Sequence, residues 1–324
     1  MHIAFMRRCL ELAEKGRGKA SPNPLVGSVI VRDGKIIAEG WHAEFGGKHA
    51  EAMALERAPH FAPLRGASRG KRERARAGTL YVNLEPCCKA GRQPPCTEAI
   101  LQAGIAEVIF GTLDPSNPGA AFLRSQGVRV IGPVLDSECR RLNRGFFSVL
   151  EQGRPWVTLK KAMTRDGRVA SAPGEARLLI TSEEQNAWAH AHLRATHDAI
   201  LVGSGTIITD NPQLNVRFAR ACHGERSRTT TRVSSFVSAQ DDTLPSPRRI
   251  ILDPHSEIPI TAHVLTDEDA GRTLVIRKKL PILELLKRLQ GEGILSVLVE
   301  GGPGVWKAFE NSGCIDELVI LTGS

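Results

Sequence analysis

The feature that most constrains this chain is a repeated switch of apolar period. Short β-branched runs alternate with amphipathic helical segments from Val26 to the last residues. VGSVIVRDGKIIAEGWH (26–42) reads as a hairpin with Asp33-Gly34 as its turn. HAEAMALERA (49–58) reads as a helix, TLYVNLEP (79–86) as a buried strand, CTEAILQAG (96–104) as a helix and AEVIFGTLD (106–114) as a strand. A short helix, AAFLRSQG, and a strand, VRVIGPVL, follow. Such alternation predicts α/β architecture with a largely parallel, helix-covered sheet. A Gly and a Pro in EQGRPW (151–156) mark a boundary. Beyond it a second α/β unit begins with the strand WVTLKKAM and the helix 181–195, where Thr181 and Glu184 have capping-box spacing. DAILVGSGT (198–206) is a strand entering a Gly-rich turn, and RRIILDP, TLVIRK, ILSVLVEGGPG and DELVILTGS supply further strands. Two domains, 1–150 and 151–324, are therefore expected.

No apolar run reaches the roughly 18 residues of a membrane span. The N-terminal MHIAFMRRCLELAEKG has charges where a signal peptide needs an apolar core. The cytoplasm is the expected compartment, with no membrane partner. Seven cysteines, an odd and scattered set, argue against a disulfide framework. The net charge of +8 invites a nucleic-acid reading. Much of the excess lies in two apolar-poor stretches, RGASRGKRERARAG (65–78) and 217–232. With one Tyr and 5% aromatics, stacking platforms are scarce, so no nucleic-acid partner is expected. A phosphorylated small substrate suits the same charge.

LEPCCKAGRQPPC (84–96) places three thiols in a Pro- and Gly-rich loop. His49 opens one helix and Cys96 another, while Cys87 follows a strand. One imidazole and two thiolates leave a fourth tetrahedral position for water. Helix starts favour thiolate, and Glu51 stands two residues from His49, within reach of that water as a proton shuttle. Zinc deaminases carry H-x-E followed by P-C-x-x-C; here eight residues separate the two cysteines. A closed site using Cys88 is the alternative, disfavoured because adjacent side chains on extended backbone point apart.

These motifs, with SPNPLVGSVIVRDGKIIAEGWH, RDGRVA, DAILVGSGTIITDNPQLNVR, IILDP and VEGGP, resemble the bifunctional deaminase/reductase family of riboflavin biosynthesis along nearly the whole chain. The resemblance implies a cytidine-deaminase-like three-layer domain followed by a dihydrofolate-reductase-like α/β domain. It implies zinc-dependent deamination of 2,5-diamino-6-ribosylamino-4(3H)-pyrimidinone 5′-phosphate. NADPH reduction of 5-amino-6-(5-phosphoribosylamino)uracil to the ribitylamino product then follows. The substrate partner is a phosphorylated pyrimidine, and a homo-oligomer is expected. Carried over residue by residue, His49, Cys87 and Cys96 are zinc ligands and Glu51 is catalytic. Asn23, His42, Arg194, Leu214, Arg217 and Glu300 bind substrate; Ala162, Thr206, Asp210 and Gly302 bind cofactor. Alternatives stand for three: Asn23 as a turn residue between prolines, Arg194 as an exposed helix charge, and Arg92 as a phosphate contact or a free loop charge.

The sequence also departs from the family. Cys88-Lys89-Ala90 replaces a Ser-His-His type segment, SNPGAAFLRSQG (116–127) is shortened, and Ala176 and Leu179 replace a Ser and a Trp. A polar insert occupies about 218–247, and the family continues beyond DELVI, so a C-terminally truncated reductase domain is expected. Deaminase activity alone, with a non-functional reductase domain, is the alternative reading.

Overall fold

Asp33 and Gly34 take φ values of 52° and 73°, the turn geometry that matches the twist of flanking strands. Across it β1 (Gly27–Arg32) and β2 (Lys35–Trp41) pair antiparallel in the computed structural model. The structure describes residues 2–58, 78–169, 180–217 and 246–323. Most of the arginine-rich stretch 65–78, the 221–242 insert, Ala176 and Leu179 lie outside the described residues. The chain divides into two compact units, Met1–Leu150 and Glu151–Ser324.

In the first unit β1 also pairs antiparallel with β3 (Thr79–Leu84). β3, β4 (Glu107–Thr112) and β5 (Arg129–Ile131) run parallel. The order is β2-β1-β3-β4-β5, so the sheet is largely parallel, as expected, with one exception: the hairpin reverses β1 alone. Alternate residues serve opposite faces, as the pleat requires. Ile30, Leu80, Val82, Val108 and Phe110 join the core under α2 (Ala50–Arg57), α3 (Cys96–Gln102) and α4 (Ala120–Ser125). Val29, Tyr81 and Ile109 meet Met6, Cys9 and Leu12 of α1 (His2–Glu14) on the other face. Cys139 of α5 (Asp136–Leu142) packs there too. The sequence reading missed α5, although Asp136 and Glu138 open it and Arg140 and Arg141 close it, charges that suit the helix dipole. β5 ends at Ile131, short of the expected 128–135, because Pro133 has no N–H to continue the ladder. α6 (Arg144–Gln152) completes this part of the chain.

The second unit is fully parallel, in the order β11-β6-β10-β7-β8-β9. Its strands are β6 (Trp156–Met163), β7 (Ala199–Gly203), β8 (Arg248–Leu252), β9 (Thr273–Ile276), β10 (Ser296–Val299) and β11 (Glu317–Thr322). α10 (Ile282–Gly291) and α11 (Pro303–Ser312) cover one face through Leu285, Leu286, Leu289 and Phe309. α7 (Glu183–His192) meets Leu298 on the other through Ala189. The capping box is one residue later than expected. Ser182 and Gln185 form it, while Thr181 is bonded instead to Asn186 (2.8 Å). β7 stops at Gly203, and the segment read as a Gly-rich turn is the helix α8 (Ser204–Asp210). No helix among the described residues is long and apolar enough to cross a membrane.

Close approach of α2 to β2 rests on Gly40. A Cβ there would stand 2.3 Å from the Ala50 carbonyl oxygen and 2.4 Å from the Ala54 nitrogen. Gly40→Ala must push back the helix that begins at His49 and carries Glu51. The expected result is a loss of about 1–3 kcal/mol with reduced zinc content, read by thermal denaturation and elemental analysis of the purified protein.

Candidate functional site

Three donor atoms converge in the first unit from three element ends. His49 is the N-cap of α2, with φ −67° and ψ 156°. Cys87 lies three residues past β3, and Cys96 is the first residue of α3. His49 Nδ1 stands 3.2 Å from Cys96 Sγ and 3.6 Å from Cys87 Sγ. All three donors lie within 4.8 Å of one another. Tetrahedral zinc with bonds of about 2.0 and 2.3 Å sets N···S near 3.6 Å and S···S near 3.8 Å, so the set fits that ion. Cys88 does not contribute: its thiol donates to the Pro118 carbonyl (2.9 Å), which removes the closed site as an alternative.

The Cys96 N–H donates to Cys87 Sγ (3.3 Å). Sharing a proton with Cys96, aided by His49, draws the Cys87 thiol down to about 4 and raises that of Cys96. Glu51 is only 4% exposed. Burial, reinforced by the neighbouring Cys87, pushes its carboxyl up to about 7. His42 donates from Nδ1 to the Lys48 carbonyl (2.9 Å), leaving Nε2 to accept from the Asn23 amide (3.0 Å). Asn23 therefore turns its oxygen elsewhere, and the two residues expected at the pyrimidine pocket form one unit beside His49. Arg92 is not a free loop charge; it stacks over Phe45 at 4.4 Å.

Two residues that support this site went unread in the sequence. Glu85 is 4% exposed, and its carboxylate accepts from the backbone of Asp114 (3.1 Å) and Ala120 (2.8 Å). Asn117 Oδ1 accepts from the Cys88 and Lys89 N–H groups (2.9 and 2.8 Å). Together they tie the cysteine-bearing turn to the 114–120 loop. An acid closing the apolar run TLYVNLE was the available signal for Glu85; Asn117 left none.

The second unit gathers its candidates at the carboxyl rim of the sheet. Arg194, in the short turn after α7, donates from Nε and Nη2 to the two Glu300 oxygens (3.0 and 2.7 Å) and from Nη1 to the Asn215 carbonyl (3.1 Å). Their side chains are 14% and 8% exposed, which excludes the exposed-charge alternative. The Arg217 N–H donates to His190 Nδ1 (2.9 Å). Leu214, at φ 52°, turns its side chain into the core beside Val202 and Ile251, leaving only its backbone for a ligand. Arg249, 2% exposed, holds this loop from behind; it pairs with Asp267 (2.7 Å) and donates to the Gln213 carbonyl (3.0 Å). A second arginine inside the run RRIIL, where the apolar strand has begun, was the clue to that role. Gly302 is the N-cap of α11, Thr206 lies on α8 and is half-buried, and Asp210 ends α8, exposed. Ala162 sits near the end of β6, opposite Leu321.

Two family models match the chain. The cytidine and deoxycytidylate deaminase zinc-binding region matches residues 1–112, and the RibD C-terminal domain matches residues 155–324. The riboflavin biosynthesis protein RibD of Aquifex aeolicus is 38% identical over 98% of this chain and 85% of its own length. That of Escherichia coli is 34% identical over 98% and 86%. The chain belongs to the RibD family.

Solved structures agree. The Thermotoga maritima diaminohydroxyphosphoribosylaminopyrimidine deaminase/5-amino-6-(5-phosphoribosylamino)uracil reductase is 34% identical, with a TM-score of 0.78 over 99% of this chain and 86% of its own. Acinetobacter baumannii RibD is 31% identical, with a TM-score of 0.79 over the same shares. The chain is thus a bifunctional deaminase/reductase of riboflavin biosynthesis that uses zinc and NADPH, with the RibD fold in both halves.

His190 and Glu300 give this rim a definite acid response. Burial, with Arg194 and Arg217 nearby, pushes His190 down to about 4. Burial alone would raise Glu300, but Arg194 overrides it and holds the carboxyl at about 2. Both folded values lie below the unfolded ones, so the unfolded chain takes up protons first and stability falls as pH is lowered. The His190 contribution is lost between about pH 6.5 and pH 4, that of Glu300 further down. His190→Gln should remove the first part, at most about 3 kcal/mol and less where solvent screens the ring, in denaturant titrations run at both pH values.

Proposed function

We propose that the first unit, 1–150, deaminates 2,5-diamino-6-ribosylamino-4(3H)-pyrimidinone 5′-phosphate. The second, 151–324, then reduces 5-amino-6-(5-phosphoribosylamino)uracil to its ribitylamino form. The observation that carries this reading is the meeting of His49, Cys87 and Cys96 with buried Glu51 beside them. His49 Nδ1 and the two sulfurs are the zinc ligands, and zinc when bound supplies Lewis acidity at its open position. Glu51 takes a proton from the attacking water and hands it to the departing amine. Asn23, oriented by His42, presents its oxygen to a donor on the pyrimidine edge. In the second unit Arg194, Arg217 and Glu300 position the phosphoribosyl chain, with the Leu214 backbone completing that wall. Ala162, Thr206, Asp210 and Gly302 line the NADPH track, where the protein's task is orientation of the cofactor.

The six cysteines among the described residues are free thiols, in keeping with a reducing, cytoplasmic setting. β11 lies at one edge of the described sheet with Leu318 and Ile320 half exposed, a row that favours pairing with a second copy.

Glu51→Gln should retain zinc by elemental analysis and lose ammonia release by about 10²–10⁴-fold. Unchanged release would refute the proton-shuttle role. Mixing the parent protein with NADPH and the deaminated intermediate tests the other half: absence of NADPH oxidation would leave a deaminase alone.

A further inference from the structure

A dinucleotide lying on the carboxyl rim of a parallel sheet places its reactive ring beside the substrate and its adenosine several strands away. In the second unit Arg194 and Glu300 mark the substrate side. Gly203 and Gly301 leave the adjacent strands β7 and β10, both against Val305; added Cβ atoms there would come within 3.0 and 2.7 Å of its side chain. That closeness seats the start of α11 on the rim, and the free N–H groups of a helix start suit a pyrophosphate.

From β10 the rim runs two ways. Towards β6 and β11 it is crossed by two bonds, Gln185 Nε2 donating to the Thr322 carbonyl (3.0 Å) and Gly323 N–H to that of Met163 (2.9 Å). Towards β9 it spans three strand spacings, about 14 Å, and ends in Arg277, Lys278 and Lys279, a cationic run directly after β9. The Arg277 side chain is 56% exposed.

Beside it, at the end of β8, stands Asp253, 0% exposed. Its N–H donates to the Ile276 carbonyl (3.0 Å), its Oδ1 accepts from Glu257 N–H (2.8 Å), and its carbonyl accepts from Ser256 N–H (3.2 Å). Asp253 Oδ2 has no hydrogen-bond partner, and Arg277 Nη1 lies 3.9 Å away. In doubly wound dinucleotide folds an acid beyond the Gly-rich turn receives the ribose diol of NADH, whereas an arginine nearby accommodates a 2′-phosphate, and the same chemistry applies at this rim. Here the acid is turned inward and the guanidinium outward, which is the second arrangement.

We propose that Arg277, backed by Asp253 and flanked by Lys278 and Lys279, binds the 2′-phosphate of NADPH and is the residue through which this chain prefers that cofactor to NADH. The inference rests on the reductase reading above. Calorimetric titration of the full chain with adenosine 2′,5′-bisphosphate and with adenosine 5′-monophosphate tests it without turnover. The bisphosphate should bind the parent about tenfold tighter or better. Arg277→Ala should erase most of that ratio while leaving monophosphate affinity unchanged, and Arg277→Lys should keep part of it. A parent without preference, or an Arg277→Ala variant with the parent's ratio, overturns the proposal. Titration with NADPH separates the two levels. NADPH binding that ignores Arg277 removes this inference alone, and failure of the parent to bind NADPH removes the reductase reading as well.

Discussion

A parallel strand returns to its sheet only through a crossover, and this constraint places the chemistry of both units. Every strand that runs the same way opens onto one rim, where the next helix begins. In the first unit the hairpin reverses β1 but leaves β2 running with β3 and β4. The ends of β2 and β3 therefore share a rim two strand spacings apart, about 10 Å. His49 follows one of them and Cys87 the other, while the crossover α3 brings back Cys96. Without that reversed strand the imidazole and the thiols would open on opposite sides of the sheet.

Desolvation then decides what those groups become. An unpartnered buried charge is costly, and both units meet that cost with fixed donors rather than mobile ones. Glu85 is met by two backbone N–H groups, Asp267 by a guanidinium that also holds the Gln213 carbonyl, and Glu300 by a bidentate arginine. Glu51 differs. Burial, with the Cys87 sulfur beside it, raises its proton affinity, whereas Arg194 holds that of equally enclosed Glu300 down. A carboxyl tuned upward by burial suits proton transfer, and one pinned downward suits architecture. Neighbours separate the two roles where exposure does not.

The sequence revealed features governed by local rules and hid those governed by tertiary contacts. The Asp33-Gly34 turn, the strands around it and the His-Cys-Cys donor set follow from turn chemistry, period and spacing, and they stand where they were read. The capping box slipped by one residue because Thr181 and Ser182 are chemically alike and only a side-chain bond to Asn186 separates them. Leu214 was read by resemblance as facing substrate. Its positive φ, unusual for a branched residue, sends the side chain inward, and no local pattern announces that. Arg92 and Arg194 offered a charge each; whether it meets Phe45, Glu300 or solvent depends on segments far away in sequence.

The net charge shows the same division between composition and fold. Arg154, Arg194 and Arg249 have side chains at most 14% exposed, and each pairs with an acid: Asp316, Glu300 and Asp267. Interior arginines thus cancel, and the excess of +8 has to sit on other residues. Arg277 is one of these, its only acidic neighbour among the described residues a buried carboxylate 3.9 Å away. A cation left over by the fold, held at the rim where strands end, has an anionic ligand as its natural complement. For a chain whose substrates and cofactor all carry phosphate, the basic composition follows from where its acids were spent.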